Sequence, residues 1–151
     1  MSEIKKVLCV CYDNRDRSPF MKGLLENMLK NQGTDTDGIE VDSAGTDLSI
    51  RGGPAPKLSV ELGPTYGVDL SRYRRKSIGD LWVHGFDLVI AADKETMAAI
   101  VEKGYKKEIV CLELDGAKNA WRSQDPRKVE EMIWSISDAL LRYVISYKFR
   151  K

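Results

Sequence analysis

The stretch KKVLCVCYDNRDRSPFMKGLLENMLKNQG, residues 5–33, decides the fold. It opens with a short apolar run of the kind a buried strand needs. From Ser18 the period changes, and Phe20, Leu24, Leu25, Met28 and Leu29 fall along one helical face. Pro19 suits the first turn of that helix and Gly33 its end. A strand, a charged turn and an amphipathic helix in succession form the opening half of a strand–helix–strand unit.

Further along, GIEVDSAG, FDLVIAA and KEIVCLEL read as three more strands, with KETMAAIVEKG a helix between the last two. From Pro126 onward, Val129, Met132, Ile133, Ile136, Leu140, Tyr143, Val144 and Tyr147 recur at helical spacing, so one face of a closing helix should pack on the sheet. RGGPAPKLSVELGPTYG is interrupted by glycines and Pro64 and reads as a short helix. Apolar strands alternating with helices imply an α/β fold, a three-layer sandwich in which helices flank a four-stranded parallel sheet.

Composition narrows the function classes. At 151 residues and 42% hydrophobic content, the chain is expected to form a single domain over residues 1–151 around one core. With 24 basic and 23 acidic residues, its net charge of +1 carries no signature of nucleic acid or an anionic membrane as partner. No apolar run approaches the roughly 18 residues that span a bilayer, so a soluble, cytoplasmic protein is expected. Three cysteines argue against a disulfide framework, and one histidine leaves little for a Cys/His zinc site. The cysteine chemistry should then be that of a thiol, with no metal and no cofactor.

The layout puts Cys11 at the carboxyl end of the first strand and Ser18 at the start of the first helix, where open parallel sheets bind ligands. Unpaired N–H groups and the helix dipole make an anion site there. A cysteine at its base would have its pKa lowered, and Arg17 would add a planar fork for two phosphoryl oxygens. The alternative is plain: Cys11 is a small buried hydrophobe like Cys9, and Arg17 a surface charge. An arginine at a helix N-terminus opposes the dipole, which makes a neighbouring anion more plausible.

In this loop the chain resembles the low-molecular-weight protein tyrosine phosphatase family. VLCVCYDNRDRSP is similar to that family's first strand and phosphate loop, VDSAGT at 41–46 to its second strand and turn, and YGVDLSRYRRKSI at 66–78 to its Gly-Ile-Asp-Leu-Ser segment. FDLVIAAD at 86–93 and the late Asp-Pro at 125–126 keep the family order. The resemblance implies a cysteine-dependent phosphoric monoester hydrolase acting on protein phosphotyrosine or a small phosphomonoester through a phosphocysteine. It implies Cys11 as nucleophile, Arg17 and the loop residues Tyr12, Asp13, Asn14, Arg15, Asp16 and Ser18 around the phosphoryl group, and a Ser18 bond to the sulfur. Asn14 and Ser43 would brace the loop, and Tyr73 stands where the family often has a supporting histidine. Asp125 occupies the place of the general acid, although Asp followed by Pro is equally an ordinary helix cap.

Several positions depart from the family pattern. Asp13 replaces a glycine and Asp16 a second cysteine. At roughly 8 Å, each carboxylate would oppose a unit negative charge by about 0.5–2 kcal/mol, disfavouring both a thiolate and a phosphate dianion. Position 13 also meets a backbone limit if the loop needs positive φ there. Without the second loop cysteine an oxidised Cys11 lacks its usual resolving thiol, and Cys9 points nearly parallel to it along the strand. Cys111 reads as a core residue. Ser49 and Arg127 stand where tyrosine-directed relatives keep aromatics, leaving Tyr12 and Trp121 to supply apolar walls, while Arg51, Arg122, Arg127 and Lys128 are either an attraction for acidic peptides or a solvated surface. Two other readings stay open: a catalytically weak domain that binds phosphorylated partners, and arsenate reduction on the same scaffold, which would need further reactive cysteines.

Overall fold

The computed structural model describes residues 4–31, 38–114 and 125–149. Its strands are β1 (Lys6–Cys11), β2 (Glu40–Gly45), β3 (Leu88–Ala91) and β4 (Glu108–Cys111), all parallel in the order β2-β1-β3-β4. The helices are α1 (Arg17–Lys30), α2 (Lys57–Leu62), α3 (Lys94–Glu102) and α4 (Pro126–Leu140). Four parallel strands flanked by helices are the architecture expected from the alternation of patterns.

β1 shows why the strands read as unbroken apolar runs. Val7, Cys9 and Cys11 face a core shared with α1, α2 and α4, whereas Leu8 and Val10 face a second core with Ile78, Val83, Phe86, Ile100 and Tyr105. A strand covered on both faces has no polar side to alternate with. Cys111 departs from its expected core position because β4 is the edge strand, where it is only half buried. The segment read as a short helix contains α2, followed by a 3-10 turn over Gly63–Tyr66.

The closing helix differs from a single amphipathic rod. After Leu140 the backbone widens into a π turn, Leu141–Ile145, followed by a short helix at Ser146–Lys148. The Ser146 N–H and hydroxyl both donate to the Leu141 carbonyl, the hydroxyl at 2.8 Å. The wider turn shifts the register, so that Tyr143 is 40% exposed while Val144 and Ile145 are buried. Tyr143 therefore leaves the face on which simple periodicity put it. Among the described residues, no helix is long and apolar enough to cross a membrane.

Topology sets the site. β1 is central, and its carboxyl end lies between the ends of β2 and β3: Cys11 pairs with Gly45, and Val10 with Ala91. The turns after all three strands therefore meet above Cys11, at the place where strand order reverses.

Candidate active site

Residues 12–16 form a tight loop from Cys11 to α1. The turn of Thr46 and Asp47 is tied beneath it, with Thr46 N donating to Cys11 O and Asp47 N to Tyr12 O, both at 3.0 Å. Gly45 permits this approach, because a Cβ there would lie 2.6 Å from Tyr12 O and 3.1 Å from Asn14 N.

Asn14 organises the loop. It has the left-handed φ of 54°, so the strained position is 14 and not 13, and asparagine tolerates this region where most residues do not. Its Nδ2 donates to Ser18 Oγ at 2.8 Å and Ser43 Oγ at 3.3 Å, while its Oδ1 accepts from Tyr73 OH at 2.6 Å and Lys76 N at 2.8 Å. All four hydrogen-bonding positions of the buried amide are filled. Ser43 and Tyr73 are joined at 2.5 Å, which closes a ring of three bonds through Asn14. Burial pushes the Tyr73 hydroxyl strongly up, against the pull of Ser43 and Asn14, so it remains a neutral donor.

Cys11 Sγ sits at the floor. Ser18 Oγ is 3.0 Å away and Asn14 N donates to the sulfur at 3.3 Å. The expected lowering of the thiol pKa is reversed: burial pushes it up, Arg17 and Ser18 pull it back, and Asp13 adds to the upward push. The residue has no exposed surface, so desolvation outweighs the nearby donors. Burial likewise pushes up the thiol of Cys9, equally buried on the same strand face.

Arg17 is the first residue of α1 and only 1% exposed. Its Nη1 donates to Asp93 Oδ2 at 2.8 Å, while its Nε is buried without a partner. The anion that offsets its unfavourable place at the helix start is thus, in part, Asp93. Burial works against charge on Arg17, but Cys11 and Asp93 outweigh it and hold the guanidinium charged. Asp93 also caps α3, its Oδ1 accepting from Thr96 N at 2.8 Å. Burial raises its carboxyl, but the bonds from Thr96 and Arg17 outweigh it and leave it below the usual range. Sequence reasoning did not single out Asp93. Its signal was an aspartate just beyond a wholly apolar strand and just before a helix.

The two loop carboxylates behave differently. Asp16 caps α1, with Oδ1 accepting from Arg17 N at 2.7 Å, and its Oδ2 is buried without a partner. Burial, reinforced by Asp13, pushes its carboxyl up to about 7. Asp13 Oδ1 lies 3.4 Å from Arg15 N and 3.9 Å from Cys11 Sγ, and Asp13 Oδ2 lies 3.8 Å from Arg15 Nε. Arg75, a second residue that sequence reasoning passed over, donates Nε and Nη2 to Asp13 O at 3.1 and 3.0 Å.

Asp125 is outside the Asn14 network. It caps α4, accepting from Arg127 N at 3.0 Å, and borders a recess of about 490 Å³ with Pro126, Arg127, Glu130 and Trp134. Tyr12 is 53% exposed at the loop rim. Arg51 is braced on its own turn through Leu48 O and Ile50 O. Trp121 and Arg122 lie outside the described residues. Among the described residues no cluster of three or more His, Cys, Asp or Glu could hold a metal ion. The arrangement combines a sulfur with fixed donors and a buried arginine with a free N–H, which together suit an oxyanion against a nucleophile.

The model of the family described as low molecular weight phosphotyrosine protein phosphatase matches residues 6–140. A curated relative from Ralstonia nicotianae, the probable low molecular weight protein-tyrosine-phosphatase EpsP, is 33% identical over 90 residues, covering 60% of this chain and 57% of that protein. The match thus spans little more than half the length of that relative. The crystal structure of a low molecular weight protein tyrosine phosphatase from T. tengcongensis is 27% identical, with a TM-score of 0.68 over 91% of this chain and 98% of that one. Primo-1, 18% identical, shares the fold with a TM-score of 0.80 over 97% of this chain and all of its own, 100%.

Proposed function

The chain belongs to the low molecular weight phosphotyrosine protein phosphatase family, and from that membership we propose that it is a cysteine-dependent, metal-independent phosphatase hydrolysing phosphomonoesters, foremost protein phosphotyrosine. The observation that carries this reading is the buried Arg17 with its Nε unpartnered, in the loop whose donors converge on Cys11 Sγ. A phosphoryl oxygen is the acceptor that such a fork suits.

In this reading the Cys11 thiolate attacks phosphorus. The S–P bond forms as the P–O bond to the leaving group breaks, and Arg17 with the loop N–H groups takes up the charge of the transferring group. Asp125 gives the leaving oxygen its proton and then removes one from the water that cleaves the phosphocysteine, returning phosphate and thiolate. Ser18 donates to the sulfur as a leaving thiolate, and Asn14, Ser43 and Tyr73 keep the loop in place. Tyr12 offers an apolar wall to an aryl group, and Arg15 and Asp16 complete the rim and cap of the loop. The substrate is a phosphorylated protein or a small phosphomonoester, with no nucleic acid or membrane as partner and no cofactor. The protein acts as a single domain in the cytoplasm.

Hydrolysis of para-nitrophenyl phosphate against pH tests this with wild type, Cys11→Ser and Asp125→Asn side by side. Turnover should vanish in the first variant and fall in the second. Unchanged turnover in Cys11→Ser ends the proposal. A second reading, phosphate binding with little turnover, is favoured by one feature, the upward push of burial and Asp13 on the Cys11 thiol. A folded wild type that binds phosphopeptide but hydrolyses nothing between pH 4 and 8 would select it.

A further inference from the structure

A phosphoryl group that reacts at Cys11 must bring phosphorus to about 3–3.5 Å from the sulfur and set its oxygens on the loop N–H groups. Part of that space is taken. Asp13 Oδ1 already accepts from Arg15 N at 3.4 Å and stands 3.9 Å from Cys11 Sγ, and its other oxygen faces Arg15 Nε at 3.8 Å. Cys11 has no exposed surface. The backbone of Asp13 is tied by the two Arg75 donors on its carbonyl, at 3.1 and 3.0 Å, which opposes a shift of the loop. One carboxylate thus has the charge, the donor and the neighbour of a phosphoryl oxygen, while the deeper Arg17 Nε is left without a partner.

We infer that the Asp13 side chain is an internal competitor for the phosphoryl group: its carboxylate holds the cradle closed over Cys11, and an oxyanion enters only when that side chain rotates away. The inference rests on the phosphate-cradle reading of the loop but goes beyond it, since it gives position 13 control of affinity. A site whose competent form is a fraction of the population binds more weakly by that fraction. If the cradle is open about a tenth of the time, removing the competitor tightens phosphate binding about tenfold.

Charge alone would also weaken binding, so the test separates position from charge. Wild type, Asp13→Asn, Asp13→Ala and Asp13→Glu are titrated with inorganic phosphate by calorimetry, with folding checked by thermal melts. Alkylation of Cys11 by iodoacetamide is followed by mass spectrometry against Cys11→Ser as background. Asp13→Asn and Asp13→Ala should bind phosphate at least about tenfold tighter, and Asp13→Ala should alkylate faster at Cys11. Asp13→Glu, which keeps the charge but moves the carboxylate by a methylene, should fall between them and wild type. Equal affinities across folded variants, no phosphate binding in any, or an Asp13→Glu identical to wild type would each overturn the inference. So would a loss of para-nitrophenyl phosphate turnover in Asp13→Asn with a displaced pH profile, since that marks Asp13 as the proton acceptor of Cys11. The calorimetry needs no turnover: tighter phosphate binding without hydrolysis in any variant would sink the phosphatase reading and leave this one standing.

Discussion

Replacing Asp93 by asparagine removes one charge from a buried pair and leaves its shape in place. Arg17 is 1% exposed and the Asp93 side chain 12%, with 2.8 Å between them. Removing one partner of such a pair costs about 3–5 kcal/mol, because the other charge stays buried and unpaired; the partial exposure of Asp93 argues for the lower end, about 3 kcal/mol. Asparagine can still accept from Thr96 N and cap α3, whereas Asp93→Ala loses the cap as well, for about 1 kcal/mol more. Urea denaturation reads both. At about 1–3 kcal/mol per molar urea, the midpoint of Asp93→Asn should fall by ~1–3 M with an unchanged slope, and that of Asp93→Ala further. The Asp93 carboxyl is held below its usual range, so its contribution is complete above the unfolded value of about 3.9 and disappears as pH falls through the lower folded value. The gap between wild type and Asp93→Asn should therefore close in acid. Released from Asp93, the Arg17 fork also loses its aim, and kcat/KM for an aryl phosphate should drop by up to about 10²-fold. An Asp93→Asn protein as stable as wild type at pH 7, or a gap that persists unchanged in acid well below pH 4, would refute the reasoning.

Asp16 predicts the opposite pH trend. Its carboxyl, raised to about 7, keeps its proton in the folded chain after the unfolded chain has lost it, so the stability it contributes is complete below about pH 3.9 and lost as pH rises through 7. Asp16→Asn does not titrate, and its urea midpoint relative to wild type should climb between pH 4 and 8 by an amount worth up to about 4 kcal/mol; a gap independent of pH would count against a buried, titrating Asp16. Tyr73→Phe removes the hydroxyl joined to Asn14 at 2.6 Å and Ser43 at 2.5 Å. It should cost about 1–3 kcal/mol in the same assay and lower kcat/KM, and a variant matching wild type in both would show that the ring of bonds does not hold the loop.

The fold was legible where pattern and burial coincide. Val7 to Cys11 read as a strand because both its faces are covered, and the helix after it because Phe20, Leu24, Leu25 and Leu29 share a buried face. Strand order was not legible, since a periodic pattern names a face and not a neighbour. Tyr143 was misplaced because a π turn has no apolar signature of its own. In the loop, Cys11, Arg17 and Ser18 suggested an anion site and the resemblance added Asn14 as a brace, but the energetics depend on partners far along the chain. Asp93 meets Arg17 across 76 residues and Arg75 meets Asp13 across 62, distances over which sequence spacing says nothing. Asn14 holds its positive φ with every hydrogen-bonding position of its side-chain amide filled, and those partners are not readable from spacing.

That same asparagine ties the assembly of the loop to distant parts of the chain. Its partners arrive as late as positions 43, 73 and 76, so a peptide carrying only the loop keeps no more than its local bonds to Ser18 and Cys11 to hold the left-handed turn. Closing those long chain loops precedes any gain from the contacts they make, which puts the cradle among the last structures to assemble. A partly folded chain then carries the Cys11 thiol without the cradle proposed to receive a phosphoryl group. In the native protein, a local opening of residues 73–77 would erase the cradle while the sheet stays intact, so activity reports on that segment's docking before global unfolding begins.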